Sequence, residues 1–159
     1  MISGGSCGQG AAASRLFSEE GANVVIGDVR ANEGHQLEAH INNVGGSALF
    51  VDLDVSKKDD WTHAIEASTQ RFGRIDILVN NAGIFPIQTI LDTTENLWDH
   101  VMDVNAKGVF LGTREVIPVM KRAGGGSIIN VSSIAGMVGA LDGAAYHASK
   151  GAVRIFTKS

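Results

Sequence analysis

A glycine-rich turn opening directly into a helix limits this chain more than any other feature. Gly4, Gly8 and Gly10 form a G-x-x-x-G-x-G run within "SGGSCGQG". A helix-like stretch carrying Ala11, Ala12, Leu16 and Phe17 follows, and Gly21 ends it. Glycines let the backbone approach a ligand closely, and a helix start offers unpaired N–H groups and a positive dipole end. The next segment, "ANVVIGD", is an apolar run of strand length.

The same alternation continues. A helical stretch from about Asn32 to Val44 is closed by Gly45 and Gly46, and "SALFVDLDV" reads as a strand. Ser56 with Asp59 resembles a capping box for a helix from about Lys57 to Phe72. "RIDILVNNAG" is a strand running into a polar turn. A long helix fits Thr94 to Ala123, with Leu97, Val101, Val104, Gly108 and Leu111 on one stripe. "GSIINVSS" is a further strand, and Gly143 to Lys158 reads as a last helix. Apolar strands alternating with helices predict one α/β domain over residues 1–159, a doubly wound parallel sheet with helices on both faces.

Charge and composition remove several function classes. Seventeen acidic residues against 13 basic ones give a formal charge of −4, which disfavours nucleic acid or an anionic membrane as partner. A single cysteine, Cys7, excludes an internal disulfide and cysteine-rich zinc sites. The five histidines show no metal-ligand spacing with acids or cysteine, so no metal is expected. No apolar run reaches the length of a membrane span. The expectation is a soluble, cytoplasmic protein. Trp61 and Trp98 fall in helical stretches and are expected to pack.

Asp28 ends the second strand, 18 residues after Gly10. An acid near that spacing accepts hydrogen bonds from the hydroxyls of an adenosine ribose and repels a 2′-phosphate. Glycine turn and acid together point to NAD rather than NADP, although Arg30 could soften the preference. The same glycines also suit plain turns.

Tyr146 and Lys150 are four residues apart on a helix, so they share a face. An ammonium near a phenol favours the phenolate, and such a tyrosine can exchange a proton with an alcohol or carbonyl oxygen. The spacing alone equally describes an amphipathic face. Ser133 lies just past a strand, 13 residues before Tyr146, where a parallel sheet binds ligands and a hydroxyl can hold a substrate oxygen. Asn105 sits on the apolar stripe of the long helix, where a buried amide needs partners. His147, adjacent to Tyr146, is about 100° around the helix and is expected to face away from the site.

These residues together resemble the short-chain dehydrogenase/reductase family, and within it the NAD-dependent alcohol and hydroxysteroid dehydrogenases. The resemblance rests on "SGGSCGQG", Asp28, "DLDV", "NNAG", "VNAKGVF", "NVSS" and "YHASK", in the family's order over essentially the whole chain. It implies a Rossmann-like fold and assigns roles. Tyr146 is the general acid/base. Lys150 lowers its pKa and binds the nicotinamide ribose. Ser133 positions the substrate oxygen, and Asn105 holds a water in the proton path. Gly4, Gly8, Gln9 and Gly10 approach the pyrophosphate, Asp54 and Val55 contact the adenine, and Asn81, Ala82 and Gly83 line the cofactor groove. A homo-oligomer through the Asn105 and Tyr146 helices is also implied. Ser3 and Gln9 depart from the family's usual threonine and isoleucine.

Only Met1 and Ile2 precede Ser3, too few for an ordinary strand, so the strands that flank it are expected to lose a shared neighbour. Against the family pattern the chain also lacks the C-terminal strands and reads as truncated at both ends. Two alternatives stand beside the NAD-dependent enzyme: an NADP(H)-dependent 3-oxoacyl or carbonyl reductase, and a non-catalytic dinucleotide-binding or dimerising fragment.

Overall fold

A computed structural model describes residues Met1–Ser159. Five parallel strands form one sheet in the order β3-β2-β1-β4-β5. They are β1 (Ile2–Ser3), β2 (Asn23–Asp28), β3 (Ser47–Asp52), β4 (Ile77–Asn80) and β5 (Ser127–Asn130). Helices α1 (Gly8–Glu19), α2 (Ala31–Asn43) and α3 (Lys58–Phe72) connect the first four. Between β4 and β5 run α4 (Glu95–Met102), a π-helical turn (Asp103–Lys107) and α5 (Gly108–Arg122). A short 3-10 turn (Ile134–Gly136) and α6 (Ala144–Phe156) follow β5. The doubly wound α/β reading therefore holds.

Two apolar cores flank the sheet. One gathers Trp61 and Ile65 of α3 with Leu111, Val116 and Met120 of α5. The other gathers Ala11 of α1 with Leu37 and Ile41 of α2. Because both faces are covered, β2 is buried at every position after Asn23, which is why its sequence is a continuous apolar run.

Four expectations need correction. First, β1 has only two residues yet pairs on both sides: Ile2 is in register with Ile26 and Val79, and Ser3 with Gly27 and Asn80. The flanking strands keep their shared neighbour because the sheet spacing, not strand length, decides the pairing. Toward the amino ends of β2 and β4, Met1, Phe17, Val24, Phe72 and Ile75 line an apolar cavity of about 370 Å³. Second, the Thr94–Ala123 helix is continuous in path but carries the π-helical turn at Asp103–Lys107. Third, no side chain caps α3; Ser56 Oγ instead donates to Asp54 Oδ1 at 2.7 Å, the nearer acceptor. Fourth, Trp61 is fully buried, with its indole N–H donating to Val55 O, but Trp98 is 37% exposed on the outer side of α4. No helix is long and apolar enough to cross a membrane.

Candidate active site

The site lies at the carboxyl ends of the strands, where the connecting turns diverge. The turn after β1 is held tightly to the turn after β4. Ser3 Oγ accepts from the N–H groups of Asn81 and Ala82, each at 3.2 Å. The Asn81 amide donates to the carbonyls of Ser3 and Gly4. Glycine is obligatory where these turns meet. Gly4 has φ +62°, and a Cβ there would lie 2.7 Å from Ala82 Cα. A Cβ on Gly10 would lie 1.9 Å from Gly4 O. The start of α1 has no side-chain cap and no acid in its first turn, so its N–H groups are open to an anion.

Asp28 ends β2 and is nearly buried. Its Oδ2 accepts from Ser6 N at 2.9 Å and its Oδ1 from Arg30 N at 3.1 Å. Beyond β3, Asp54 accepts from the amide and hydroxyl of Ser56 and faces the Lys57 ammonium at 3.3 Å. Burial pushes the Asp54 carboxyl up, but the Ser56 hydrogen bonds and Lys57 outweigh it and hold the group below its usual value.

A cleft of about 460 Å³ brings most of the predicted binding residues together. Its lining includes Gly4, Gln9, Gly10, Asp28, Asp54, Val55, Asn81, Ala82 and Gly83. Gly8 belongs to the turn but not to the lining. A second cavity, also about 460 Å³, is walled by Phe85, Ile134, Val138 and Leu141 and contains Ser133, Tyr146 and His147. Asn105 and Lys150 line neither, but both lie beside Gly83 of the first. A Cβ on Gly83 would sit 3.3 Å from Asn105 Oδ1 and 3.4 Å from Lys150 Nζ.

Each side chain that the sequence assigns to proton transfer has a defined setting. Lys150 Nζ donates to Val131 O at 2.8 Å and lies 5.8 Å from the centre of the Tyr146 ring. Burial holds its amine below the ordinary lysine value. Ser133 Oγ accepts from Ala135 N at 3.1 Å, which leaves its own proton free to donate. Asn105 lies in the π-helical turn and is fully buried. Its Oδ1 accepts from Ile84 N at 2.8 Å; its Nδ2 donates to Ile84 O at 2.9 Å and to Ser149 Oγ at 3.0 Å.

A model of the short chain dehydrogenase family matches residues 1–159. The chain belongs to that family. It is 46% identical over 159 residues to a cyclopentanol dehydrogenase of Comamonas testosteroni, covering all of this chain and 64% of that protein. It is 45% identical over 165 residues to a trans-4-hydroxycyclohexanecarboxylate dehydrogenase of Sinomonas cyclohexanicum, covering all of this chain and 63% of that one. A 3-alpha-(or 20-beta)-hydroxysteroid dehydrogenase of Mycobacterium tuberculosis is 45% identical over 159 residues, again all of this chain and 60% of the relative. The chain thus spans less than two thirds of the length of these dehydrogenases.

Within this short-chain dehydrogenase fold, one expectation about the site is reversed. His147 does not face away: it lines the same cavity as Tyr146, with the two rings 6.3 Å apart, and its Nδ1 donates to Gly143 O at 2.8 Å. Both residues lie in the first turn of α6, and the cavity wraps around that helix end. Sequence reasoning also passed over Phe85, whose ring lies 4.3 Å from that of Tyr146, and Ser149. Ser149 had a usable signal, since positions 146, 149 and 150 fall on one helical face. Phe85 had none beyond its place after "NNAG".

Proposed function

We propose that the chain carries the active site of an NAD(H)-dependent oxidoreductase that interconverts a secondary alcohol and a ketone. The observation that supports it is the setting of Lys150: a Cβ on Gly83, which lines the cleft, would lie 3.4 Å from its Nζ, and the same Nζ lies 5.8 Å from the ring centre of Tyr146 in the apolar cavity that also holds Ser133. The residues fit the cofactor. Gly4, Gln9 and Gly10 would receive the pyrophosphate on a close, positive backbone surface, with Gly8 shaping the turn. Asp28 would accept from the adenosine ribose, Asp54 and Val55 would meet the adenine, and Asn81, Ala82 and Gly83 would form the wall. When bound, the nicotinamide ring supplies the hydride acceptor or donor.

The chain's own residues handle the proton and the substrate oxygen. Ser133 donates its free proton to that oxygen. Tyr146 takes the alcohol proton on oxidation and returns it on reduction. The Lys150 ammonium has three donors, and Val131 O occupies one. The others serve the nicotinamide ribose and favour the Tyr146 phenolate. The Asn105 side-chain amide is committed to Ile84 and Ser149, so a water in the proton path would rest on its main chain. The apolar walls suit a compact alicyclic alcohol, in keeping with the cyclic substrates named for the relatives. Phe110 and Ile117 of α5 and Ile155 of α6 are exposed and would face a second copy; sedimentation velocity tests that pairing.

Calorimetric titration with NADH and then NADPH tests the reading, followed by oxidation assays on cyclopentanol and cyclohexanol. NADH binding with NAD-dependent ketone formation supports it. Absence of binding to either dinucleotide overturns it.

A further inference from the structure

We propose that Ser149 is a positioning residue whose hydroxyl ties the helix of Tyr146 and Lys150 to Asn105, and through Asn105 to the Ile84 segment beside the nucleotide cleft. Its role in turnover rests on the proposed function; its role as a clamp does not. Ser149 and Asn105 are both 0% exposed. Ser149 Oγ donates to Tyr146 O at 2.7 Å and accepts from Asn105 Nδ2 at 3.0 Å. With the two Ile84 bonds, both Asn105 N–H groups and its carbonyl are then committed. The next residue, Phe85, returns to stack on Tyr146 at 4.3 Å. The contacts thus close a ring: Tyr146, Ser149, Asn105, Ile84, Phe85, Tyr146.

Close packing at this point does not call for a hydroxyl, because alanine has nearly the same shape and carries no polar group to desolvate. A serine that only bonded back to its own helix would touch Tyr146 O alone. The second bond, 44 positions away in sequence, gives the hydroxyl a task between segments. It adds a third hold, from α6, on an Asn105 amide whose orientation serves both groups of Ile84. Three segments meet there: the π-helical turn, the loop after β4 and α6. A displacement on the scale of an ångström in such a constellation can lower turnover about a hundredfold.

The test compares the full chain with Ser149→Ala and Ser149→Cys. The cysteine keeps the shape with a weak donor, and carries the test if the alanine variant does not fold. Amide exchange of Ile84 is read by NMR against Leu78 and Val79 of β4. In Ser149→Ala, Ile84 exchange should quicken by about tenfold or more while the β4 amides stay within about threefold. The kcat should fall about tenfold or more with KM for NAD within about threefold, and the cysteine variant should lie between. Unchanged Ile84 exchange overturns the proposal. So does equally faster exchange throughout β4, the mark of a purely structural serine. A wild-type chain that binds no dinucleotide refutes the proposed function instead, and the exchange data then decide the clamp alone.

Discussion

On the proposed function cofactor choice turns on Asp28, and Asp28→Asn isolates its charge. Each carboxylate oxygen already accepts one backbone N–H, from Ser6 and from Arg30. The remaining lone pairs are what the cleft offers to a ribose diol. Asparagine keeps the shape but replaces one acceptor with a donor. Losing a hydrogen bond to a charged group costs about 1.5–3 kcal/mol, so NADH should bind about 10–150-fold more weakly. NADPH should move the other way. Unit charges 4 Å apart near a protein surface interact by about 4 kcal/mol, and a 2′-phosphate beside Asp28 meets at least that repulsion before screening. Removing it should shrink the NADH-over-NADPH preference by about a hundredfold or more. The fold will register the change too, since one backbone N–H then faces an NH₂ group. That costs about 1–3 kcal/mol, and each kcal/mol lowers Tm by about 2–4 °C in a chain of this size. Calorimetric titration of both chains with both dinucleotides, at low and moderate salt, reads the affinities. Equal affinities of the wild type for NADH and NADPH would refute the reasoning, as would a ratio that Asp28→Asn leaves within about threefold.

Two further outcomes are expected. Tyr146→Phe should abolish turnover while NADH affinity stays within about threefold, because the phenol acts on the substrate proton; steady-state rates and calorimetry check this. Gly10→Ala should cost about 3 kcal/mol and lower Tm by about 6–12 °C, since its Cβ would lie 1.9 Å from the Gly4 carbonyl and 2.7 Å from Asn81 Nδ2. The same change should remove dinucleotide binding, and thermal denaturation with and without NADH measures both effects.

The parts of this fold that were legible in the sequence are those where a local pattern has a single three-dimensional consequence. A strand covered on both faces must be apolar throughout, so β2 announces itself, while β3, buried at alternate positions on the sheet edge, still stands out as an apolar run. Glycines that cannot carry a Cβ mark the turn between β1 and α1. The groups at the carboxyl ends of the strands, Asp28 and Asp54, follow once the strands are placed. Legibility fails where the outcome depends on a competition between partners. Ser56 and Asp59 have the spacing of a cap, but the Ser56 hydroxyl is turned to donate to Asp54 and no side chain caps α3. The apolar stripe of the long helix is the same with or without a π-helical turn, so nothing local marks Asp103–Lys107. Yet that turn carries Asn105. The Asn105–Ser149 bond joins residues far apart in sequence, and no periodicity encodes it.

Ile2 and Ser3 pair with two neighbours each, and the turn after them is fixed from both sides. Gly5 N donates to Gly27 O on the β2 side, while Ser3 and Asn81 exchange bonds on the β4 side. All of these contacts lie at the carboxyl end of the sheet. These bonds join the halves of the sheet where the glycine turn and "NNAG" meet, the same place that shapes the cleft of Gly4, Gly10 and Asp28. The groups that build the site are also the groups that join β2 to β4, so a substitution at Gly4, Gly10 or Asn81 should perturb ligand binding and sheet integrity together rather than separately.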